Sequence, residues 1–294
     1  MSKKLISYAI ALLSGALLHL FAAEPLTDSL VNVSKVRYDP QSEYPAYLYI
    51  MRSKEATGKL PCIVYIHGSA WKKQNMASAQ KRAGKMVDKG YVVACLEYRP
   101  CSFALFPAQV EDSKTAVRYM RAHAAEYGVD PTNIFLWGTS SGGHTALLHA
   151  VSEDAPQMDN GLLGEWSCKV NAVVDYYGPT ELVKEFRIED GAQHEPDRNG
   201  GLLLGDLSED KRDFARTASP LYYVHAGMPP VFVVHGDKDK VVPLEQSEWI
   251  IERFKECGVS HEYLLLPGEA HGSPGFWTDA MYDRMDGFFR QYKH

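Results

Sequence analysis

The chain has 294 residues, 45% of them hydrophobic and 23% charged, enough to bury one large core. Unexceptional Gly and Pro contents exclude a collagen-like repeat, and the apolar fraction excludes a disordered chain. A formal net charge of −6, with no basic run beyond pairs such as Lys72-Lys73, argues against nucleic acid as a partner.

Lys3 and Lys4 precede an apolar stretch from Leu5 to Phe21, and Ala22 and Ala23 follow before Glu24-Pro25. Basic, apolar and small segments in that order form the pattern of a secretory signal peptide. Residues 1–23 are therefore expected to direct export, to a periplasm or the exterior, and to leave residues 24–294 as a single domain. Phe21 stands where cleavage prefers a small residue, so the cut site is open and an uncleaved N-terminal anchor is the alternative. Once a leader is cleaved, no membrane association is expected.

Val33 to Tyr38 and Ala46 to Met51 alternate in polarity and read as an antiparallel hairpin. From there, Cys62–Ile66, Tyr91–Leu96, Ile134–Trp137, Val170–Tyr176, Val231–Val234 and Tyr263–Leu266 are short apolar runs rich in β-branched or aromatic residues. Between most of them lie segments with helical spacing: Ser78–Lys89, Glu111–Tyr127, Gly142–Ser152, Leu244–Cys257 and Trp277–Tyr292. Continuous apolar strands alternating with amphipathic helices predict a mostly parallel, doubly wound α/β sheet with helices on both faces.

One interval breaks this rhythm. Residues 180–219 are polar and carry Asp190-Gly191, Asn199-Gly200-Gly201 and Gly205-Asp206. An insertion of that length between strands is either a substrate lid or a decorated surface loop. The five cysteines are too few and scattered for a disulfide framework, and Cys62 and Cys95 read as small buried hydrophobes. Neither C-x-x-C nor H-E-x-x-H occurs, so spacing points to no metal site.

The run Ile134 to Gly143 is a strand entering a small-residue turn and then a helix, and within it Gly138-Thr139-Ser140-Ser141-Gly142 fits the G-x-S-x-G nucleophile elbow. A serine nucleophile needs a base, and the base an orienting acid. Downstream, Val231–Val234 runs into His235-Gly236-Asp237-Lys238-Asp239, and Tyr263–Leu266 into Pro267-Gly268-Glu269-Ala270-His271. Both groups fall at the carboxyl ends of strands, the edge that also carries Ser140. His271, on a Gly-flanked loop, is the expected base. His261 stands on the wrong edge, His235 too early to do more than brace its turn, and His144 in the packing of its helix. Asp237 and Asp239 both remain candidates for the acid, with the later farther out on the loop. His67-Gly68-Ser69-Ala70-Trp71 follows the strand Cys62–Ile66, where backbone N–H groups would stabilise an oxyanion, and Ser141 supplies another N–H.

With these sites placed, the chain resembles the α/β-hydrolase esterases and lipases related to hormone-sensitive lipase. It is most similar to the bacterial branch that includes bifunctional acetylxylan and feruloyl carbohydrate esterases. The resemblance is carried by His67–Trp71, Glu97-Tyr98-Arg99, Phe106-Pro107-Ala108-Gln109, Gly138–His144, Tyr177-Gly178-Pro179-Thr180, Ser219-Pro220-Leu221, His235–Pro243 and Pro267–Gly272. It implies Ser140 as nucleophile and His271 as base, and its His-Gly-x-x-Asp-x-x-Val-Pro pattern implies Asp239 as acid. It also implies Ser69, Ala70 and Ser141 as oxyanion donors and no cofactor. The family's His-Gly-Gly-Gly-Trp is here His-Gly-Ser-Ala-Trp, so a positive φ at either changed position would be strained. The usual Ala after the nucleophile is Ser141.

The expected function is hydrolysis of a small-molecule or polysaccharide-linked carboxylic ester through an acyl-enzyme, with acetyl or feruloyl groups suggested by the resemblance. A peptidase on the same fold and a hydrolase-fold binding protein are the rival readings.

Overall fold

The computed structural model describes residues 31–185, 203–205 and 212–294. The expected leader, residues 1–23, and the greater part of the interval 180–219 lie outside the described residues.

Among the described residues, eight strands form one sheet: β1 (Val31–Arg37), β2 (Tyr47–Ser53), β3 (Leu60–Ile66), β4 (Val92–Leu96), β5 (Val129–Thr139), β6 (Val173–Tyr176), β7 (Val231–Gly236) and β8 (His261–Leu266). Their order is β1-β2-β4-β3-β5-β6-β7-β8. The β1–β2 and β2–β4 pairs are antiparallel and the rest parallel, as expected of a hairpin followed by strand-helix units. The described helices are α1 (Met76–Ala83), α2 (Ala108–Ala122), α3 (Ala124–Tyr127), α4 (Ser141–Val151), α5 (Leu182–Glu185), α6 (Arg212–Thr217), α7 (Glu245–Cys257) and α8 (Asp279–Gln291).

Alternation along each strand divides the core into two layers. Val64, Leu136 and Val233 face one side with Val117 of α2, Leu147 of α4 and Phe254 of α7. Tyr65, Trp137 and Phe232 face the other with Ala79 of α1 and Met285 and Phe289 of α8. Both faces being covered explains why the parallel strands are continuously apolar. Each fully buried large side chain contributes about 1.5–3 kcal/mol relative to exposure. Cys62 and Cys95 are buried within strands as free thiols.

Boundaries shift where side chains satisfy backbone groups. β5 is longer than its apolar run because Val129 pairs with Leu60 of β3, and β6 starts only at Val173, after the side chain of Asn171 accepts the Ile134 N–H at 2.9 Å. The segment expected as one helix over Glu111–Tyr127 starts earlier, at Ala108, and is broken at His123.

Parallel register brings the carboxyl ends of β3, β5, β6, β7 and β8 to one edge. Ile66 lies beside Gly138, Thr139 beside Tyr176, Tyr176 beside Val234, and Gly236 beside Leu266. Every candidate site loop leaves from this edge. The two ends of the interval 180–219 are joined there: Ser219 Oγ accepts the Leu182 N–H at 2.8 Å, and Thr180 donates its N–H to Gln246 Oε1 at 2.7 Å. Leu203 and Leu204, from its middle, are buried in the core.

Candidate active site

Between β5 and α4, Ser140 adopts φ 52° and ψ −126°, a conformation that costs a non-glycine residue about 1–3 kcal/mol. Its surroundings hold it there. Ser140 donates its N–H to Tyr176 O at 2.8 Å, and its carbonyl accepts the His144 N–H at 3.0 Å. A Cβ on Gly138 would stand 2.2 Å from Gly142 O, and one on Gly142 1.9 Å from Ile66 O, so neither position admits a side chain. The turn thus projects the Ser140 hydroxyl from the sheet edge over the start of α4, where partial positive charge gathers.

His271 comes to this hydroxyl from the loop after β8. Its Nε2 is 2.9 Å from Ser140 Oγ and its Nδ1 is 2.6 Å from Asp239 Oδ2. The ring lies 4.5 Å from that of Tyr177, and Gly272 next to it accepts a hydrogen bond from Trp277 Nε1 at 3.0 Å. Asp239 is the residue that meets His271, and its side chain is fully buried. Burial opposes its ionisation, but hydrogen bonds from His235 and His271, the imidazole's charge and the Val242 N–H outweigh it and hold the carboxyl well below the usual range. Its Oδ1 accepts the N–H groups of Val241 and Val242 at 2.8 and 2.9 Å. Asp237, the other candidate acid, is engaged elsewhere: it accepts the Gly268 N–H at 2.7 Å and ties the two loops together.

The other candidate histidines have structural roles. His235 binds Ser247 Oγ at 2.7 Å and Val242 O at 3.0 Å, bracing the acid's loop. His144 accepts from Trp71 Nε1 at 3.2 Å and donates to Ala218 O at 2.7 Å, a pairing that fixes one neutral tautomer. Burial lowers its pKa to about 4. His261 opens β8 at the opposite edge.

The loop after β3 forms the facing wall. Gly68 donates its N–H to Thr139 Oγ1 at 3.0 Å, and a Cβ there would stand 2.5 Å from Thr139 O. Ala70 and Trp71 have φ of 53° and 56°, so the strain expected of the departures from the glycine pattern falls on Ala70 and on the following Trp71. Of the expected donors, Ser69 is placed differently from expectation: its N–H donates to Ser141 Oγ at 2.9 Å and is not left open. The Ser69 hydroxyl donates to Lys72 O at 2.6 Å and lies 2.8 Å from Tyr98 Oη. Among the described residues, the N–H groups of Ala70 and Ser141 have no protein acceptor. The two departures from pattern therefore meet each other, with the extra hydroxyl after the nucleophile anchoring the altered loop.

These walls enclose a cavity of about 330 Å³ lined by Ser140, His271, Ala70, Tyr177, Val241 and Arg82, among others. His67, behind the loop, is kept neutral: burial, helped by the charge of Arg82, brings its pKa down to about 4. Beneath the elbow, the fully buried Asp175 accepts the Gly178 N–H at 3.0 Å through Oδ1, while its Oδ2 has no partner among the described residues. Burial raises its pKa to about 7 against the opposing charge of His235 and the Gly178 N–H. Sequence reasoning did not single out Arg82, Trp277 or Asp175, and Tyr177 only as part of the resemblance. Only a φ of 46° at Tyr177 and the placement of Arg82 after folding reveal their proximity to the serine.

The BD-FAE family model matches residues 48–254. Among curated proteins, the chain is 30% identical to esterase LipC of Mycobacterium tuberculosis over 83% of this chain and 59% of that one. It is 28% identical to esterase LipQ of the same organism over 72% of this chain and 50% of that one. It spans about half the length of the curated relatives it matches. Among solved structures, a truncated carbohydrate esterase from gut microbiota superposes with a TM-score of 0.83 at 28% identity, covering 91% of this chain and 98% of that one. A bifunctional GH43-CE protein of Bacteroides eggerthii gives 0.80 at 29% identity, covering 90% and 38% respectively. The fold is that of the α/β-hydrolases.

Proposed function

Because the chain belongs to the BD-FAE family, we propose that it is a serine carboxylic-ester hydrolase working through an acyl-enzyme. The observation that carries this reading is the continuous chain Asp239–His271–Ser140 at one wall of a cavity with the open N–H groups of Ala70 and Ser141 at another.

Ser140 Oγ attacks the ester carbonyl while His271 Nε2 accepts its proton. Asp239, ionised and buried, accepts from Nδ1–H, keeps Nε2 free to act as base, and stabilises the imidazolium that forms. The carbonyl oxygen becomes an oxyanion facing the N–H groups of Ala70 and Ser141, each such donor being worth about 2.7–4 kcal/mol of barrier in comparable sites. His271 returns the proton to the departing alkoxide, leaving Ser140 acylated. Water, deprotonated by the same imidazole, then hydrolyses the acyl group and restores the serine.

The substrate class we propose is a short acyl ester, acetyl or feruloyl, on a carbohydrate. The likeness to a gut carbohydrate esterase over nearly its whole length supports this. Residues 1–23 support export, and N-terminal sequencing of protein recovered from a periplasmic fraction tests it. Ser140→Ala is expected to lower kcat on p-nitrophenyl acetate by about 10⁶. Turnover retained within tenfold of the parent would remove the serine from the mechanism.

A further inference from the structure

The cavity that holds Ser140 and His271 also holds a cation that the ester chemistry above does not use. Arg82, in the last turn of α1, lines the same 330 Å³ space. Its guanidinium carbon lies 4.3 Å from the centre of the Trp277 ring. Its backbone carbonyl accepts the Tyr282 hydroxyl at 3.0 Å. Among the described residues no carboxylate pairs with it and no acceptor takes its N–H groups. Other arginines of the chain are differently placed: Arg99 pairs with Glu111 and Asp112, Arg118 with Asp159, and Arg52 and Arg121 with backbone carbonyls.

Stacking on an indole fixes the plane of a guanidinium and leaves its edge donors free, and that fork matches a carboxylate with two parallel hydrogen bonds. Because the guanidinium already sits over the Trp277 ring, less side-chain freedom remains to be lost when the pair forms. The partly enclosed setting strengthens the attraction over what an exposed arginine would give. A cavity of that volume is roughly 9 Å across if taken as a sphere, small enough for one substrate to reach both the cation and the serine.

Resting on the esterase reading, we infer that Arg82 is a specificity residue that selects esters bearing a free carboxylate within a few bonds of the scissile carbonyl. The carboxylate sits either on the acyl part, as in a dicarboxylic half-ester, or on the alcohol part, as in an acetylated uronic or hydroxy acid. Trp277 acts as the positioning residue beneath it, joined to the base's loop through its hydrogen bond to Gly272.

Two matched pairs separate the sources. For the acyl part, monomethyl adipate is compared with dimethyl adipate. For the alcohol part, 3-acetoxybenzoic acid is compared with its methyl ester. In at least one pair, kcat/KM for the acid is expected to exceed that for the neutral ester by tenfold or more, with the ratio falling as salt is added. Arg82→Gln should lower that ratio 10–100-fold, and Arg82→Lys should restore part of it. Fluorophosphonate labelling of Ser140 in each variant reports an intact elbow. Should Arg82→Gln not fold, the parent enzyme still decides: benzoate should inhibit at least tenfold more tightly than benzamide. Ratios near one in both pairs, a ratio unmoved in Arg82→Gln, or equal inhibition by benzoate and benzamide would overturn the role of Arg82 while leaving the esterase intact. Absence of both turnover and Ser140 labelling in the parent would overturn the esterase reading and this inference with it.

Discussion

The two walls of the catalytic cavity are built on different principles. On one, Ser140, His271 and Asp239 are the residue types that acyl transfer requires, and each is held by partners that suit its charge. On the other, the loop Gly68–Trp71 carries side chains at two positions where its relatives' pattern has glycine, adopts positive φ at Ala70 and Trp71, and depends on the Ser141 hydroxyl to hold Ser69. The first wall is specified by identity and the second by compensation. A change on the first should therefore act on the chemical step, whereas a change on the second should be graded and should follow how well the loop is held.

After the loss of the serine itself, the largest effect is expected from Asp239→Asn. The asparagine Oδ1 can still accept from Val241 and Val242, but its amide N–H₂ would face His271 Nδ1 and favour the imidazole tautomer with its proton on Nε2. That tautomer cannot accept from Ser140, and kcat should fall by about 10⁴. Asp237 accepts the Gly268 N–H and lies near exposed Lys238 but does not touch His271, so Asp237→Asn should change kcat by less than about tenfold. Equal losses in the two variants would break the distinction between them.

Next comes Asp175→Asn, beneath the elbow. An aspartate titrates near 3.9 in an unfolded chain, whereas buried Asp175 titrates at about 7. Between those values the folded chain keeps a proton that the unfolded chain has released, so stability falls as pH rises from about 4 to about 7, and the loss is complete above that. Asparagine carries no such titration. The variant's advantage over the parent should therefore grow between pH 5 and pH 8, by up to ~3 kcal/mol. Thermal melts of both proteins at the two pH values measure it, and a gap independent of pH would show that Asp175 is ionised at no cost.

Ser141→Ala keeps the backbone N–H but removes the acceptor of Ser69. Loss of that bond, about 1 kcal/mol, should lower kcat about fivefold without altering the pH profile. A rise in kcat would mean that the hydroxyl withholds an oxyanion donor. The smallest effect is expected from Ala70→Gly, which relieves a positive φ at the expense of unfolded-state freedom, for a net gain below about 1 kcal/mol and a Tm increase of a few degrees at most.

The same contrast separates what could be read from the sequence from what could not. The relay was legible because each member follows a strand, and parallel strands bring their ends to one edge whatever the helices between them do. Asp239 needed the resemblance, since two acids spaced by one residue differ only in which way the turn aims them. The link between Ser69 and Ser141 was illegible because the residues are far apart in sequence and each departure alone looks like a loss. Arg82 was hidden for a further reason: a basic residue in the last turn of a helix already has an ordinary explanation in the helix dipole, and nothing local shows that it borders the same cavity as a serine in another segment. Asp175 sits within an apolar strand, where its lone carboxyl could be noticed but not its missing partner.

The close contacts at Gly138 and Gly142 bear on how such a site can diversify. With backbone atoms near 2 Å from any added Cβ, the elbow tolerates no exploration, and the base and acid are bound by their mutual geometry. Freedom to vary is left to the rim, at Arg82 and Val241, whose side chains border the cavity without forming the relay or the oxyanion wall. A mutant library confined to those positions would sample new substrates at little risk to the catalytic engine, whereas one spread over the elbow would mostly return inactive protein.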